Sequence, residues 1–273
     1  MTDPASAVFD QDGWWDPKSF LHGLHTLLDP VRGPYVTIAL ENAGLDSGSQ
    51  VLDLGSGGGF LAAILSDDGY DVIGIDPSMA SIREAKSHVQ ANFAVAVGES
   101  LPFSDNSIDA VTCSEVLEHV DDVGAVVAEI SRVLRPDGLL VFSMPNRTLL
   151  SRLVLIDLAQ RLWPTRILPT DLHDWYRFVR PLEFSELAQR HDLVVRDIQG
   201  VGIRLRHVPS AVKALLALRT GRITYGAAGS RIQLELGRAK TIAYIGVATK
   251  TPTVASEDKA RDGGLTFVET DRL

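Results

Sequence analysis

Two rhythms divide this chain. Between residues 51 and 143, short apolar runs recur at 51–54, 71–75, 93–97, 109–113 and 139–143, and the intervening residues carry helical patterning at 60–67, at 78–88 and from about 122 to 135. Near-continuous apolar runs of four or five residues are what strands buried on both faces require, and their alternation with helices predicts βαβ units and a mainly parallel sheet. Ligands of such sheets collect at the carboxyl ends of the strands. Before this core, Phe20, Leu21, Leu24, Leu27 and Leu28 fall at helical spacing and a second apolar run covers 34–45, predicting two short helices that lie as a lid over the first strand's end. After residue 145 the rhythm breaks. Residues 149–168 are apolar but interrupted by Arg152, Asp157, Arg161 and Arg166, which predicts an amphipathic helix or helix pair inserted after the fifth strand. Patterning then predicts a helix over 181–191, a strand over 193–198, a helix over 210–218 and a last strand over 241–249. The expected organisation is an N-terminal segment and helical lid (1–45), an α/β domain (46–250) with insertions at about 146–180 and 200–238, and a polar tail (251–273) that reads as disordered.

The first strand runs into Val51-Leu52-Asp53-Leu54-Gly55-Ser56-Gly57-Gly58-Gly59-Phe60. Glycines at 55, 57 and 59 permit a tight turn with positive φ, and the helix that follows offers unpaired N–H groups to a ligand. The spacing is G-x-G-x-G rather than the dinucleotide fingerprint, and Asp53 stands two residues before the first glycine. A carboxylate there repels a pyrophosphate but pairs with an ammonium group, so the turn suits S-adenosylmethionine better than a dinucleotide and disfavours a dehydrogenase. Asp76 ends the second strand about 20 residues on, where an acid accepts hydrogen bonds from ribose hydroxyls.

Composition narrows the class. At 45% hydrophobic and 22% charged, the 273 residues suit a globular protein with room for one large domain and a cap. A net charge of -9 argues against a nucleic-acid partner. The single cysteine, Cys113, fits a reducing cytoplasm; no leader pattern and no spanning helix are expected. The charge reverses locally: between 200 and 240, Arg204, Arg206, Lys213, Arg219, Arg222, Arg231, Arg238 and Lys240 face the single acid Glu235.

On these motifs, together with Gly74-Ile75-Asp76, Leu101-Pro102-Phe103, Val111 to Val120 and Leu134-Arg135-Pro136-Asp137-Gly138, the chain resembles the class I S-adenosylmethionine-dependent methyltransferases. Trp14-Trp15-Asp16, Leu24-His25, Pro30-Val31-Arg32, Asn146-Arg147, His173-Asp174 and Arg177 to Pro181 narrow the resemblance to the ubiquinone-biosynthesis O-methyltransferase family, over roughly residues 14–198. The resemblance implies a Rossmann-like fold: a seven-stranded, mainly parallel sheet with helices on both faces. It implies Asp53, Gly55 and Gly57 at the methionine end of the cofactor, Asp76 at the ribose, Met79 beside the adenine, Glu99 and Ser100 at the adenine edge, and Ser114 against the cofactor. On the acceptor side it implies Trp15, His25, Arg32 and Tyr35 from the lid and His173 from the insert, with Arg204 and Arg222 added from the basic region. The family's pattern is lost at Gly202 to Val208, on the acceptor side.

Methyl transfer from a sulfonium needs an acceptor atom placed behind the methyl carbon and a group to take its proton. Glu115, Glu118 and His119 are the candidates; if 115–119 turns as a helix, all three share a face. The resemblance links such a set to a divalent cation, Mg²⁺ or another, which would lower a phenolic pKa; His119 alone could equally serve as base, and the acids could equally serve only to orient neighbours. Two acceptors stand open. One is a hydroxyl of a polyprenyl catechol or quinol, drawn from the inner face of a membrane by the 149–168 segment with its arginines. The other is an alkene carbon of an isoprenoid diphosphate held by Arg204, Arg206, Arg219, Arg222 and Arg231. A cofactor-binding protein without catalysis would lack the Glu115, Glu118 and His119 set. The oligomeric state is left open.

Overall fold

The computed structural model describes residues 8–163, 165–170 and 172–252. The expected disordered tail lies almost wholly outside them. Strands β1 (Gln50–Leu54), β2 (Asp71–Asp76), β3 (Asn92–Val95), β4 (Ile108–Ser114), β5 (Leu134–Pro145), β6 (Leu193–Gly202), β7 (Glu235–Gly237) and β8 (Ala243–Lys250) form one sheet in the order β3-β2-β1-β4-β5-β8-β6-β7. The first five pair in parallel, β8 runs antiparallel between β5 and β6, and three-residue β7 closes the edge antiparallel to β6. Seven of these strands match the expected sheet; β7 is too short to leave a period-2 signal.

The order reverses between β1 and β4, because the chain runs outward through β2 and β3 and then crosses back. Leu54 pairs with Cys113, so the glycine turn after β1 and the turn after β4 open side by side at the switch point. Alternation along the strands splits the core: Leu52, Leu54, Val111, Cys113 and Phe142 pack on one face, and Val51, Ala110 and Val141 on the other. Asp53 and Thr112 share the second face. Helix α1 (Phe20–Asn42) covers it with Val36 and Leu40, both fully buried.

Helix α1 corrects one expectation. The lid is a single 23-residue helix with Pro30 and Pro34 inside it, not two short ones. The prolines each remove an N–H, but their spacing of four puts both losses on one face, and burial of Leu21, Val36 and Leu40 holds the helix through them. Helices α2 (Phe60–Asp67), α3 (Met79–His88) and α4 (Val123–Val133) follow the predicted bounds closely, with Ser78 and Asp122 capping α3 and α4. The insert after β5 begins with Leu149–Ser151 and continues as a π-helix over Arg152–Arg161. Helix α5 (Pro181–Arg190) leads to β6, and helices α6 (Val208–Arg219) and α7 (Tyr225–Gly229) form the cap. The cap is tied to both other covers, since Gly226 N–H donates to Pro17 O at 2.9 Å and Tyr225 OH to Ile167 O at 2.8 Å.

Candidate functional site

A cavity of 1870 Å³ lies over the carboxyl ends of β1, β2 and β4, roofed by α1, the insert and the cap. Its inner wall is polar and includes Arg32, Asp53, Asp76, Ser114 and Glu115, with His119 and His173 farther along; its outer wall is apolar, with Leu150, Val154, Leu155, Val212 and Leu216.

The glycine turn is built for close approach. Gly55 has φ +74, its N–H donates to Ile75 O at 2.7 Å, and a Cβ there would lie 2.2 Å from a Val116 methyl. Gly57 has φ +51, and a Cβ would meet the Trp14 ring at 2.7 Å. We expect Gly55→Ala to lower stability by about 2–4 kcal/mol, adding overpacking to left-handed strain, as read in denaturant unfolding; a change under about 0.5 kcal/mol would mean the turn yields. The Gly57 N–H donates to one oxygen of Asp76 at 2.9 Å and the Ser78 N–H to the other at 2.8 Å. Burial raises the Asp76 carboxyl, and these two donors oppose it.

Asp53 is 3% exposed. Thr112 donates to its Oδ1 at 2.7 Å, while Oδ2 is buried without a partner. Burial pushes its pKa up to about 6, against the Thr112 hydrogen bond and the charge of Arg32. Arg32 descends from α1 to face Asp53. Its guanidinium pairs with Asp29, its Nε is buried without a partner, and although burial works against its charge, Asp29, Asp53 and Glu115 together raise its pKa. His25, one turn before Asp29, stacks on Phe60 at 4.1 Å and lies 5.0 Å from Trp14.

The turn after β4 is not helical. Glu115 sits at φ +56, its N–H donating to Ser143 O at 2.9 Å and its Oε1 accepting from Ser143 Oγ at 3.0 Å, so β5 anchors its backbone and its carboxyl. Positive φ breaks the expected helix at its first residue and removes Glu115 from the face shared by Glu118 and His119. Ligand-type atoms of Glu118, His119 and His173 instead lie within 4.8 Å of one another. Both Glu118 oxygens, His119 Nε2 and His173 Nδ1 are buried without hydrogen bonds. Burial and then Glu115 hold the Glu118 carboxyl well above the usual range. Burial drops His119 to about 4, helped by Arg177, and His173 to about 3, helped by His119. His119 Nε2 lies 3.8 Å from Glu118 Oε1, too far for a hydrogen bond between them. A buried carboxyl and two neutral imidazoles, all short of partners, form a donor set that fits a divalent cation once the carboxyl is ionised.

Of the residues expected at the site, Asp53, Gly55, Gly57, Asp76, Glu99, Ser114, Glu115, His119, His25, Arg32, His173 and Arg204 line the cavity, and Glu118 is buried beside His119. Glu118 itself and five others do not line it. Trp15 is stacked between Phe60 at 4.0 Å and His88 at 4.6 Å and donates to Gly58 O at 2.9 Å, so it packs the lid. The Tyr35 OH donates to Asp197 at 3.3 Å across the sheet edge. Met79 is 55% exposed at the start of α3, Ser100 is exposed after β3, and Arg222 is exposed in the turn after α6. Arg204 and Arg206 share Glu235 at 2.5 and 2.6 Å, with His207 at 3.1 Å, so the one acid of the region offsets part of the charge of both arginines. Asp29, Thr112 and Ser143 went unnoticed; for Asp29 the signal was its spacing of four from His25 and three from Arg32.

A family model described as a methyltransferase domain matches residues 52–142. The ubiquinone biosynthesis O-methyltransferase of Alkalilimnicola ehrlichii is 38% identical over 221 residues, covering 74% of this chain and 87% of that protein. The protein of the same name from Paraburkholderia phymatum is 36% identical over 194 residues, covering 69% and 81%. Among solved structures, a protein of Pyrococcus horikoshii OT3 superposes with a TM-score of 0.58 at 19% identity, covering 86% of this chain and 94% of that one. The [4+2]-cyclase SpnF superposes at 0.54 with 19% identity, covering 81% of each chain, so the shared fold alone does not select the chemistry.

Proposed function

Because the chain belongs to the ubiquinone biosynthesis O-methyltransferase family of class I S-adenosylmethionine-dependent methyltransferases, we propose that it methylates a hydroxyl of a polyprenyl catechol or quinol. One observation carries the cofactor site. Beside the glycine turn stand a buried carboxylate oxygen, Asp53 Oδ2, and a buried guanidinium nitrogen, Arg32 Nε, each without a partner. Two unsatisfied groups of opposite sign complement the two ends of an α-amino acid: Asp53 receives the ammonium and Arg32 the carboxylate. Arg32 thereby moves from the acceptor side to the cofactor. Asp76 receives the ribose hydroxyls, with Glu99 on the adenine side, and Ser114 and Glu115 wall the methionine end. The bound cofactor supplies an activated methyl group.

Asp53 makes cofactor affinity depend on pH. With a pKa near 6, it is mostly protonated at pH 5, so affinity is expected to fall about tenfold between pH 7.5 and pH 5. The sign for stability is the reverse. A carboxyl whose folded value is raised binds its proton more tightly folded than unfolded, so the cofactor-free protein gains stability as pH falls through 6 and lacks that contribution above it. The melting-temperature gain on adding cofactor should be smaller at pH 5 than at pH 7.5, and an equal gain would remove Asp53 as the ammonium's partner.

His119 and His173 receive the acceptor hydroxyl at the junction of the polar and apolar walls. An imidazole that titrates near 4 stays neutral and able to accept a proton, but it is a weak base for a phenol. Glu118, His119 and His173 would hold a divalent cation, which when bound would acidify the hydroxyl. The cavity extends past the cofactor end along an apolar wall of Leu150, Val154, Leu155, Val212 and Leu216, which supports an acceptor with an apolar chain. Exposed Leu149, Leu153, Leu162, Trp163, Leu205 and Leu216, interspersed with Arg152, Arg161 and Arg166, support contact with an anionic bilayer from which that chain is drawn. No helix among the described residues is long and apolar enough to cross a membrane. The isoprenoid diphosphate reading loses support, because Arg204 and Arg206 are already paired with Glu235.

A mass-spectrometric screen for the gain of one methylene unit tests the proposal, offering a catechol, a polyprenyl quinol and an isoprenoid diphosphate. Methylation of the prenylated ring, lowered by a chelator and restored by Mg²⁺, is expected. Methylation of the diphosphate alone would overturn the acceptor, and indifference to the chelator would remove the cation.

A further inference from the structure

We propose that Asp29 is the positioning residue of the cofactor's amino-acid end, fixing Arg32 for the carboxylate and His25 for the ammonium; the inference rests on the cofactor reading above. Asp29 does not line the cavity, whereas His25 and Arg32 do. All three side chains are nearly buried, at 12, 10 and 11% exposure for Asp29, His25 and Arg32. Their spacing, 25, 29 and 32, continues the stripe of α1 that packs Val36 and Leu40 into the core, so a rigid helix aims a polar cluster at Asp53.

Asp29 acts on each neighbour differently. It pairs with one terminal nitrogen of Arg32 and leaves Nε free. Without Asp29, the strongest remaining attractions on the guanidinium are Asp53 and Glu115, the acids of the site itself. Arg32 would then pair with Asp53, and both groups would be lost to the ligand. Towards His25, Asp29 Oδ2 stands 3.3 Å from Nδ1. Both ring nitrogens are buried without a formed hydrogen bond; the nearby carboxylate favours the proton on Nδ1, which leaves Nε2 as an acceptor for a cofactor N–H. Stacking on Phe60 at an interplanar angle of 18° holds the ring in that orientation.

Titration calorimetry of the full chain with S-adenosylmethionine and with its decarboxylated analogue tests the assignment. The wild type is expected to prefer the carboxylated ligand by about ten- to a hundredfold, the range of a charge-assisted contact. Asp29→Ala should lose most of that preference, and Asp29→Asn should keep part of it, because an amide oxygen still accepts from Arg32. A variant that merely loosened the fold would weaken both ligands alike and leave the preference intact, which would overturn the proposal. Should Asp29→Ala fail to fold, the preference in Asp29→Asn decides: intermediate supports the proposal, unchanged overturns it. A wild type without any preference would instead sink the assignment of Arg32 to the cofactor carboxylate, and the role of Asp29 with it.

Discussion

Asp53→Ala should weaken S-adenosylmethionine binding about a hundredfold in titration calorimetry, while leaving the cofactor-free protein as stable as the wild type or more so. Both halves follow from one geometry. The carboxylate is held at the end of β1 by Thr112 with its second oxygen unpaired, so it is costly to bury and available to an ammonium. Removing it deletes the partner of that charge and relieves the cost of burying its own. An ordinary core acid would behave otherwise, since its loss would lower stability and leave binding alone. A dissociation constant within threefold of wild type would refute the assignment of Asp53 to the ammonium.

His119→Ala should reduce turnover about a thousandfold, within the range for a positioned acid–base group, with cofactor affinity changed less than about twofold. His119 stands beyond the cofactor end of the cavity, against His173 with ring centroids 5.4 Å apart, so its loss touches the acceptor's hydroxyl and not Asp53, Arg32 or Asp76. Because burial holds His119 near 4, no loss of rate from its protonation is expected between pH 5.5 and 8. Single-turnover kinetics with saturating cofactor would check both statements. Turnover near the wild-type level would remove His119 from the chemistry.

Legibility followed the range of the interactions. The glycine turn, Asp53 and Asp76 could be read because a strand followed by positive φ leaves a local signature, and Ser78 announced α3 through its cap. The segment after β4 misled because Glu115, Glu118 and His119 have helical spacing, while the contact that breaks the helix comes from Ser143, a residue 28 positions away. His173 reaches Glu118 and His119 from the insert, a meeting that no periodicity encodes. Trp15 and Tyr35 carried the right chemistry for a ligand site, and partners distant in sequence, His88 and Asp197, turned them elsewhere. The basic run from 200 to 240 overstated free positive charge because composition does not register that Arg204 and Arg206 converge on one glutamate.

The acids around the cavity have a consequence for the protein's lifetime. Burial raises the carboxyls of Asp53, Asp76, Glu115 and Glu118, so each is held in the fold against its own preference for water. A cofactor with a sulfonium and an ammonium brings two cations to this group and offsets part of that cost, stabilising the folded state by an amount that grows with the logarithm of its concentration above the dissociation constant. Abundance in the cell would then track methyl-donor supply, since a marginally stable, empty form is the one that proteases find. Starving cells of methionine should shorten the half-life of the wild-type protein, and Asp53→Ala, which binds the donor far more weakly, should show much less of that dependence.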